Sequence, residues 1–313
     1  MTSTQHVSSA APDVVAGLHA EKKRLPCRLL YDLRGARLFE RICTLPEYYL
    51  ARSEIALYTR HLGELAADVG PSARVIEPGS GAADKTRMLL ASLESPAVYV
   101  PIDVCGEQLD VAARSLREEH PGLEVAQLHG DYMRPLRLPR TSTPHARTVL
   151  FFPGSTIGNF EPQEAQSFLD RFGKLAGPGA IILLGADSNG DADALLRAYD
   201  DREGVTAAFN LNVLAHLNRT HAASFDLRAF AHRAVWNAAR SRVEMHLVSL
   251  RDQTVRVAGT HVRFDEGEAV VTEHCYKHTP RALESLLARA GWRTRRAHPD
   301  EHARMHLWVA ERV

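Results

Sequence analysis

The run Glu77-Pro78-Gly79-Ser80-Gly81-Ala82-Ala83-Asp84-Lys85-Thr86 follows the apolar stretch Val75-Ile76 and joins an acidic residue to a Gly-x-Gly turn and a helix start. Small residues at such a turn let a ligand approach the backbone, and the first turn of a helix offers N–H groups with no intrahelical partner. Two phosphate sites share part of the pattern. Both the dinucleotide turn Gly-x-Gly-x-x-Gly and the phosphate loop Gly-x4-Gly-Lys-Thr require glycine where Asp84 stands, and an aspartate there opposes a polyphosphate with like charge. An acid-Gly-x-Gly turn without the last glycine instead suits a nucleoside that lacks a pyrophosphate, such as S-adenosylmethionine. The zwitterionic tail of that molecule can use both a carboxylate and backbone donors. A tight strand-to-helix turn with no ligand is the bland alternative.

Further polar residues fall where such a ligand needs them. Asp103 ends the apolar run Ala97 to Ile102, where a carboxylate can accept both ribose hydroxyls. Asp131 and Tyr132 follow a third extended run, Glu124 to His129. There an acid can reach an adenine amino group while the aromatic ring covers the base. A fourth run, Arg147 to Phe152, is closed by Pro153-Gly154-Ser155-Thr156-Ile157-Gly158-Asn159.

The elements that must position these residues alternate strand with helix, which predicts an α/β fold on a parallel sheet, with ligands at the carboxyl ends of the strands. Helix Pro162 to Leu175 and strand Ala180 to Gly185 complete a fifth repeat. After Asp187 the pattern changes. Residues 191–239 read as mostly helical, followed by strands Arg242 to Leu250 and Gln253 to Ala258, then a last helix from Pro280 to Ala290. The insertion is too long for a loop. It predicts a second lobe over residues 14–57 and 190–277 beside a core of residues 58–189 and 278–313, with residues 1–13 flexible.

Bulk properties exclude several classes. Acidic and basic residues number 38 each, so no broad electrostatic footprint for nucleic acid is expected. No apolar run reaches membrane-spanning length, and the first twenty residues lack a basic-then-apolar signal pattern. Cys27, Cys43, Cys105 and Cys275 are scattered, as expected of a reduced cytoplasmic protein. His298, His302 and His306 recur every four residues, but Pro299 breaks the helix that would align them. His274 and His278 flank Cys275 without a matching second pair. No metal site is expected.

Several blocks carry a closer resemblance. Tyr31-Asp32 to Phe39, Leu45-Pro46-Glu47-Tyr48-Tyr49, Lys85-Thr86-Arg87, Gly154 to Asn159, Gly204 to Asn210 and Thr272-Glu273 resemble the L-histidine Nα-methyltransferases of the ergothioneine pathway, from about residue 25 to the C-terminus. The resemblance implies a Rossmann-like class I methyltransferase sheet with a second α+β substrate-binding lobe, the substrate held between the lobes. It also implies S-adenosylmethionine as methyl donor and a small-molecule amino acid as acceptor. A monomer is the default expectation.

By the same resemblance Gly79, Ser80, Gly81, Lys85, Asp103, Asp131 and Tyr132 bind the donor, with Lys85 facing the methionyl carboxylate. Tyr48, Asn159 and Tyr199 hold the amino acid's backbone groups, and Tyr48 and Asn159 are the candidate catalytic pair. Glu273 pairs with the imidazole, Tyr31 closes the imidazole end, and Met245 forms a nearby apolar wall. Gly154 and Gly158 leave room for a growing amine. Read without the resemblance, Tyr48 and Tyr199 are ordinary half-buried aromatics, Asn159 is a helix cap before Pro162, and Glu273 is a strand-edge acid.

Three positions depart from the family. Cys275 stands where serine is usual, placing a weaker hydrogen-bond partner at the imidazole. Leu50-Ala51 replace Pro-Thr after the tyrosine pair, and Pro78 replaces a leucine in the donor turn. The leading expectation is stepwise trimethylation of the α-amine of L-histidine to hercynine. The alternatives are the same chemistry on another aromatic amino acid or a modified histidine, a nucleotide-dependent phosphotransferase, and a non-catalytic sensor of S-adenosylmethionine.

Overall fold

The computed structural model describes Ser3–Thr4 and residues 11–313. The flexible stretch expected over residues 1–13 falls largely outside them. Of the remainder, Ser3–Thr4 pair with Leu128–His129, and Ala11 opens a helix, Ala11–Leu18. The chain forms two compact units. Ser3–Thr4 and residues 50–189 and 277–313 belong to the first, and residues 11–49 and 190–276 belong to the second.

The first unit is built on β1 (Ala73–Pro78), β2 (Val98–Asp103), β3 (Leu128–His129), β4 (Arg147–Phe152), β5 (Ile181–Asp187), β6 (Trp292–Pro299) and β7 (Met305–Arg312). Their spatial order is 3-2-1-4-5-7-6. Strands β1 to β5 pair in parallel, and β7 runs antiparallel to both neighbours. This is the Rossmann-like class I methyltransferase sheet that the resemblance implies.

Strands β2 and β5 are buried along their whole length. That burial is why they read as unbroken apolar runs rather than as alternating ones. The period of two still sorts their side chains. Ile76, Val100, Leu150 and Ile182 enter the core on one face, and Val75, Tyr99, Val149 and Ile181 the core on the other. The Gly-x-Gly turn thereby stands at the carboxyl end of the central strand β1.

The second unit contains helices Leu33–Thr44, Ala192–Tyr199 and Val205–Thr220, a three-stranded antiparallel sheet and a hairpin. Asp32 caps the first of these helices through the Gly35 amide at 2.8 Å, and Asp201 caps the third through Val205 and Thr206.

Two expectations are corrected. The third strand, expected over Glu124 to His129, is two short pieces, Glu124–Val125 and Leu128–His129. Arg117 takes the Val125 carbonyl and the Gln127 side chain at the break. The helical reading of residues 191–239 fails at Phe230–Asn237, which is a strand paired in register with Arg242–Ser249. The strand expected over Gln253 to Ala258 is present as Gln253–Val257, outside that sheet. It pairs with Thr260–Phe264, while Arg242–Ser249 takes Ala269–Tyr276 as its other neighbour.

Candidate active site

In the first unit the donor-binding candidates gather at the carboxyl ends of β1 and β2. Gly79 and Gly81 both adopt positive φ, 75° and 51°, which an L side chain resists. A Cβ on Gly79 would stand 3.3 Å from the Tyr132 ring, whereas nothing lies within 4 Å of one on Gly81. The turn therefore packs on an aromatic wall on one side and opens on the other, a shape that fits a nucleoside ligand. Asp103 ties the turn down: its Oδ2 accepts the Gly81 amide at 3.0 Å and its Oδ1 the Cys105 amide at 2.9 Å. Burial pushes the Asp103 carboxyl above its usual range, and the two amides oppose that shift. Tyr132 packs edge-on against Phe152 and Phe168, which fixes its ring. Asp131 accepts the Met133 amide at 2.9 Å and lies 3.6 Å from Arg134.

Two acids that were not among the donor-binding candidates brace this turn. Glu77, at 2 % exposure, accepts hydrogen bonds from Thr86 and Tyr99. Burial raises its carboxyl to about 7, against those two bonds and the Lys85 charge. Glu54 pairs with Lys85 and accepts the Gly154 amide on both oxygens, at 2.8 and 2.9 Å. Glu77 was legible as the acid before the glycines. Glu54 carried no local signal.

Asn159 lies in a 3-10 turn, Thr156–Asn159, after β4. Helix Pro162–Ala176 takes its cap from Glu161, reciprocated by Glu164. The capping explanation for Asn159 is thereby removed.

In the second unit the amino acid candidates form one connected set. Glu273 is 7 % exposed. The Tyr31 hydroxyl lies 3.4 Å from its Oε1, and the Cys275 thiol donates to its Oε2 at 3.3 Å. Met245 stands directly across from Glu273 in the neighbouring strand. Tyr31 packs edge-on against Phe39 and Phe209, Phe39 against Tyr48, and Tyr48 against Tyr199, with centroids 5.3 to 6.2 Å apart. Such edge-to-face chains hold rings in fixed orientation. Phe39, not singled out in the sequence, is the link between the two tyrosine ends.

A buried polar relay braces the same strand. The register shifts between Val271 and Glu273, a bulge that aims the acid. Beside it the Thr272 hydroxyl donates to Asn210 Oδ1 at 2.6 Å. Asn210 Nδ2 donates to His232 Nδ1 at 2.8 Å and to the His246 carbonyl at 3.0 Å. His232 Nε2 then donates to the Tyr199 carbonyl at 2.9 Å. Burial lowers the His232 pKa, so the ring is held neutral, as this tautomer requires.

Among the histidines weighed for metal, His298 on β6 stacks on His61 at 3.9 Å beside Glu64. Arg296 lies 3.3 Å from the same Glu64 carboxylate. The trio ties helix Tyr49–Val69 to the edge strand β6. His306 bonds instead to Ser188 at 3.1 Å.

The profile of one family, described as histidine-specific methyltransferase, SAM-dependent, matches residues 10–312. The chain belongs to this family. Histidine N-alpha-methyltransferase of Mycolicibacterium smegmatis is 41 % identical over 287 residues, covering 90 % of this chain and 88 % of that protein. Histidine N-alpha-methyltransferase of Mycobacterium tuberculosis is 40 % identical over 304 residues, with 95 % and 93 % covered. Ergothioneine biosynthesis protein 1 of Neurospora crassa is 35 % identical over 205 residues, covering 63 % of this chain and 23 % of that protein.

As a SAM-dependent, histidine-specific methyltransferase the protein uses S-adenosylmethionine. The phosphotransferase reading of the same turn is set aside. Among the described residues no helix is long and apolar enough to cross a membrane.

Proposed function

We propose that the protein transfers methyl groups from S-adenosylmethionine to the α-amino nitrogen of L-histidine, three times in succession, giving hercynine for ergothioneine synthesis. The observation that carries the choice of acceptor is the buried Glu273 carboxylate, met at one oxygen by Tyr31 and at the other by Cys275. A buried acid is costly without a cationic or N–H partner, and an imidazole supplies one.

When bound, the donor supplies an electrophilic methyl on sulfur. The protein's part is alignment. Before each transfer the amino nitrogen sheds one proton to solvent; its lone pair then forms the N–C bond as the S–C bond breaks, leaving S-adenosylhomocysteine. Tyr48, Asn159 and Tyr199 hold the α-amino and carboxylate groups, since hydroxyl and amide side chains both donate and accept. The turn of Gly79, Ser80 and Gly81 with Lys85, Asp103, Asp131 and Tyr132 holds the donor. Gly154 leaves room at the amine, Tyr31 and Met245 enclose the ring, and Glu273 orients it. Positioning of this kind suffices to remove much of the barrier to a bimolecular transfer. The first unit serves as the donor-binding core and the second as the acceptor-binding lobe. The protein works as a monomer in the cytoplasm, without nucleic acid.

Cys275 favours one second reading, the same chemistry on another aromatic amino acid or a modified histidine. Mass spectrometry of the protein incubated with donor and an equimolar mixture of the standard amino acids separates the two. Histidine heavier by three methyl groups is the expected product; methylation of another amino acid alone overturns the choice of acceptor.

A further inference from the structure

Glu54 is 1 % exposed, yet it is a carboxylate. Its Oε1 and Oε2 both accept the Gly154 amide, and Oε2 also receives the Lys85 ammonium. On the remaining side stands Gly185 of β5, where a Cβ would fall 1.7 Å from Oε1. A side chain at position 185 would displace the Glu54 carboxylate from this place. Helix Tyr49–Val69, the start of helix Asp84–Ser92, the loop after β4 and β5 itself therefore close around one acid. A buried charge held this closely is compensated by its partners, and loss of either partner exposes the other's charge.

We propose that Glu54 is a positioning residue that neutralises Lys85 and thereby sets the protein's preference for the cationic methyl donor over its neutral product. The inference rests on the reading that Lys85 faces the methionyl end of the donor. S-adenosylmethionine and S-adenosylhomocysteine carry the same amino acid tail and nucleoside. They differ by the methyl group and by the positive charge on sulfur. A lone Lys85 ammonium attracts either carboxylate equally but repels only the sulfonium, which favours the product. Glu54 cancels that bias. Three successive transfers require product to be replaced by donor between steps, so the discrimination acts repeatedly on one acceptor molecule.

Isothermal titration calorimetry with each ligand tests this on the wild type, Glu54→Gln, Lys85→Met and the double variant. Glu54→Gln is expected to lower the donor-to-product affinity ratio about ten-fold, the size of one uncancelled charge at several ångströms in a half-buried site. Lys85→Met leaves Glu54 unopposed and is expected to weaken both ligands while raising the ratio. The double variant is expected to return to the wild-type ratio. If Lys85→Met weakens both ligands equally and Glu54→Gln leaves the ratio unchanged, the inference is overturned while the donor placement stands. If Lys85→Met alters the affinity of neither ligand, the placement itself is wrong. Ligand-free melting curves identify any variant that does not fold. Should Glu54→Gln be one, the upward shift of the ratio in Lys85→Met decides alone.

Discussion

The Cys275 thiol donates to the Glu273 carboxylate, Sγ to Oε2 at 3.3 Å, from two residues along the same strand. That spacing places both side chains on one face. A thiol is a weak donor, and a hydroxyl at the same place bonds more strongly. Cys275→Ser is therefore expected to lower the histidine KM about three-fold, a gain within the range of one improved hydrogen bond. Steady-state kinetics at saturating donor check this; an unchanged or higher KM places the specificity of Cys275 elsewhere.

Glu273→Ala removes the carboxylate from the imidazole end. Loss of a charged hydrogen bond predicts a rise in histidine KM of roughly ten- to hundred-fold. Donor affinity, measured by calorimetry without histidine, should change by less than about two-fold, because the proposed partner of Glu273 is the acceptor's imidazole and not the donor. Unimpaired histidine turnover would remove the assigned contact.

Asn159→Ala is expected to lower kcat/KM for histidine about a hundred-fold, with donor binding retained. Glu161 already caps the following helix, so the melting temperature should hold within about two degrees. A large fall in stability would return Asn159 to a structural role.

Glu77 makes a pH prediction. Its carboxyl is raised to about 7 in the folded protein, above the ordinary range near 4.5, chiefly by burial. The folded state thus binds more protons than the unfolded state across this window. Stability falls as pH rises from about 4.5 through about 7, by on the order of 3 kcal/mol for the 2.5-unit difference. Glu77→Gln cannot ionise and should lose this dependence. The melting temperatures of variant and wild type, compared from pH 5 to pH 8, should diverge in the variant's favour. Parallel curves would mean that Glu77 stays ionised throughout.

Arg242 and Glu244 form a buried pair at 2.7 Å in the sheet that carries Met245, with Tyr276 and Asn237 completing it. Despite burial, which acts upward, bonds from Arg242, Asn237 and His246 hold the Glu244 carboxyl down at about 2. Arg242→Met leaves that charge buried and is expected to cost about 3 kcal/mol in urea denaturation. The double change to methionine should cost less than Arg242→Met alone. Equal costs would mean that the pair is not coupled.

Much of the fold was legible because its signals are local. The glycine turn, the apolar runs of β1, β2, β4 and β5, and the Pro162 and Pro280 helix starts each depend on a few adjacent residues. The family, too, could be read from short blocks around Tyr48, Asn159 and Phe209. Phe230–Asn237 escaped because its burial hardly alternates, so nothing in its pattern marked one face as core. Its strand character comes from pairing with Arg242–Ser249.

The chemistry of the residues was thus set by the chain itself: which acids, amides, aromatics and glycines are present, and in what order along the strands. Which of them meet was decided by tertiary structure. Lys85 finds Glu54 across 31 residues, Gly154 finds it across 100, and Tyr31 meets Glu273 across 242. No local propensity encodes such pairs. They arise when sheet topology brings strand ends together, and burial then makes each charged or polar group depend on the partner that the fold has placed beside it.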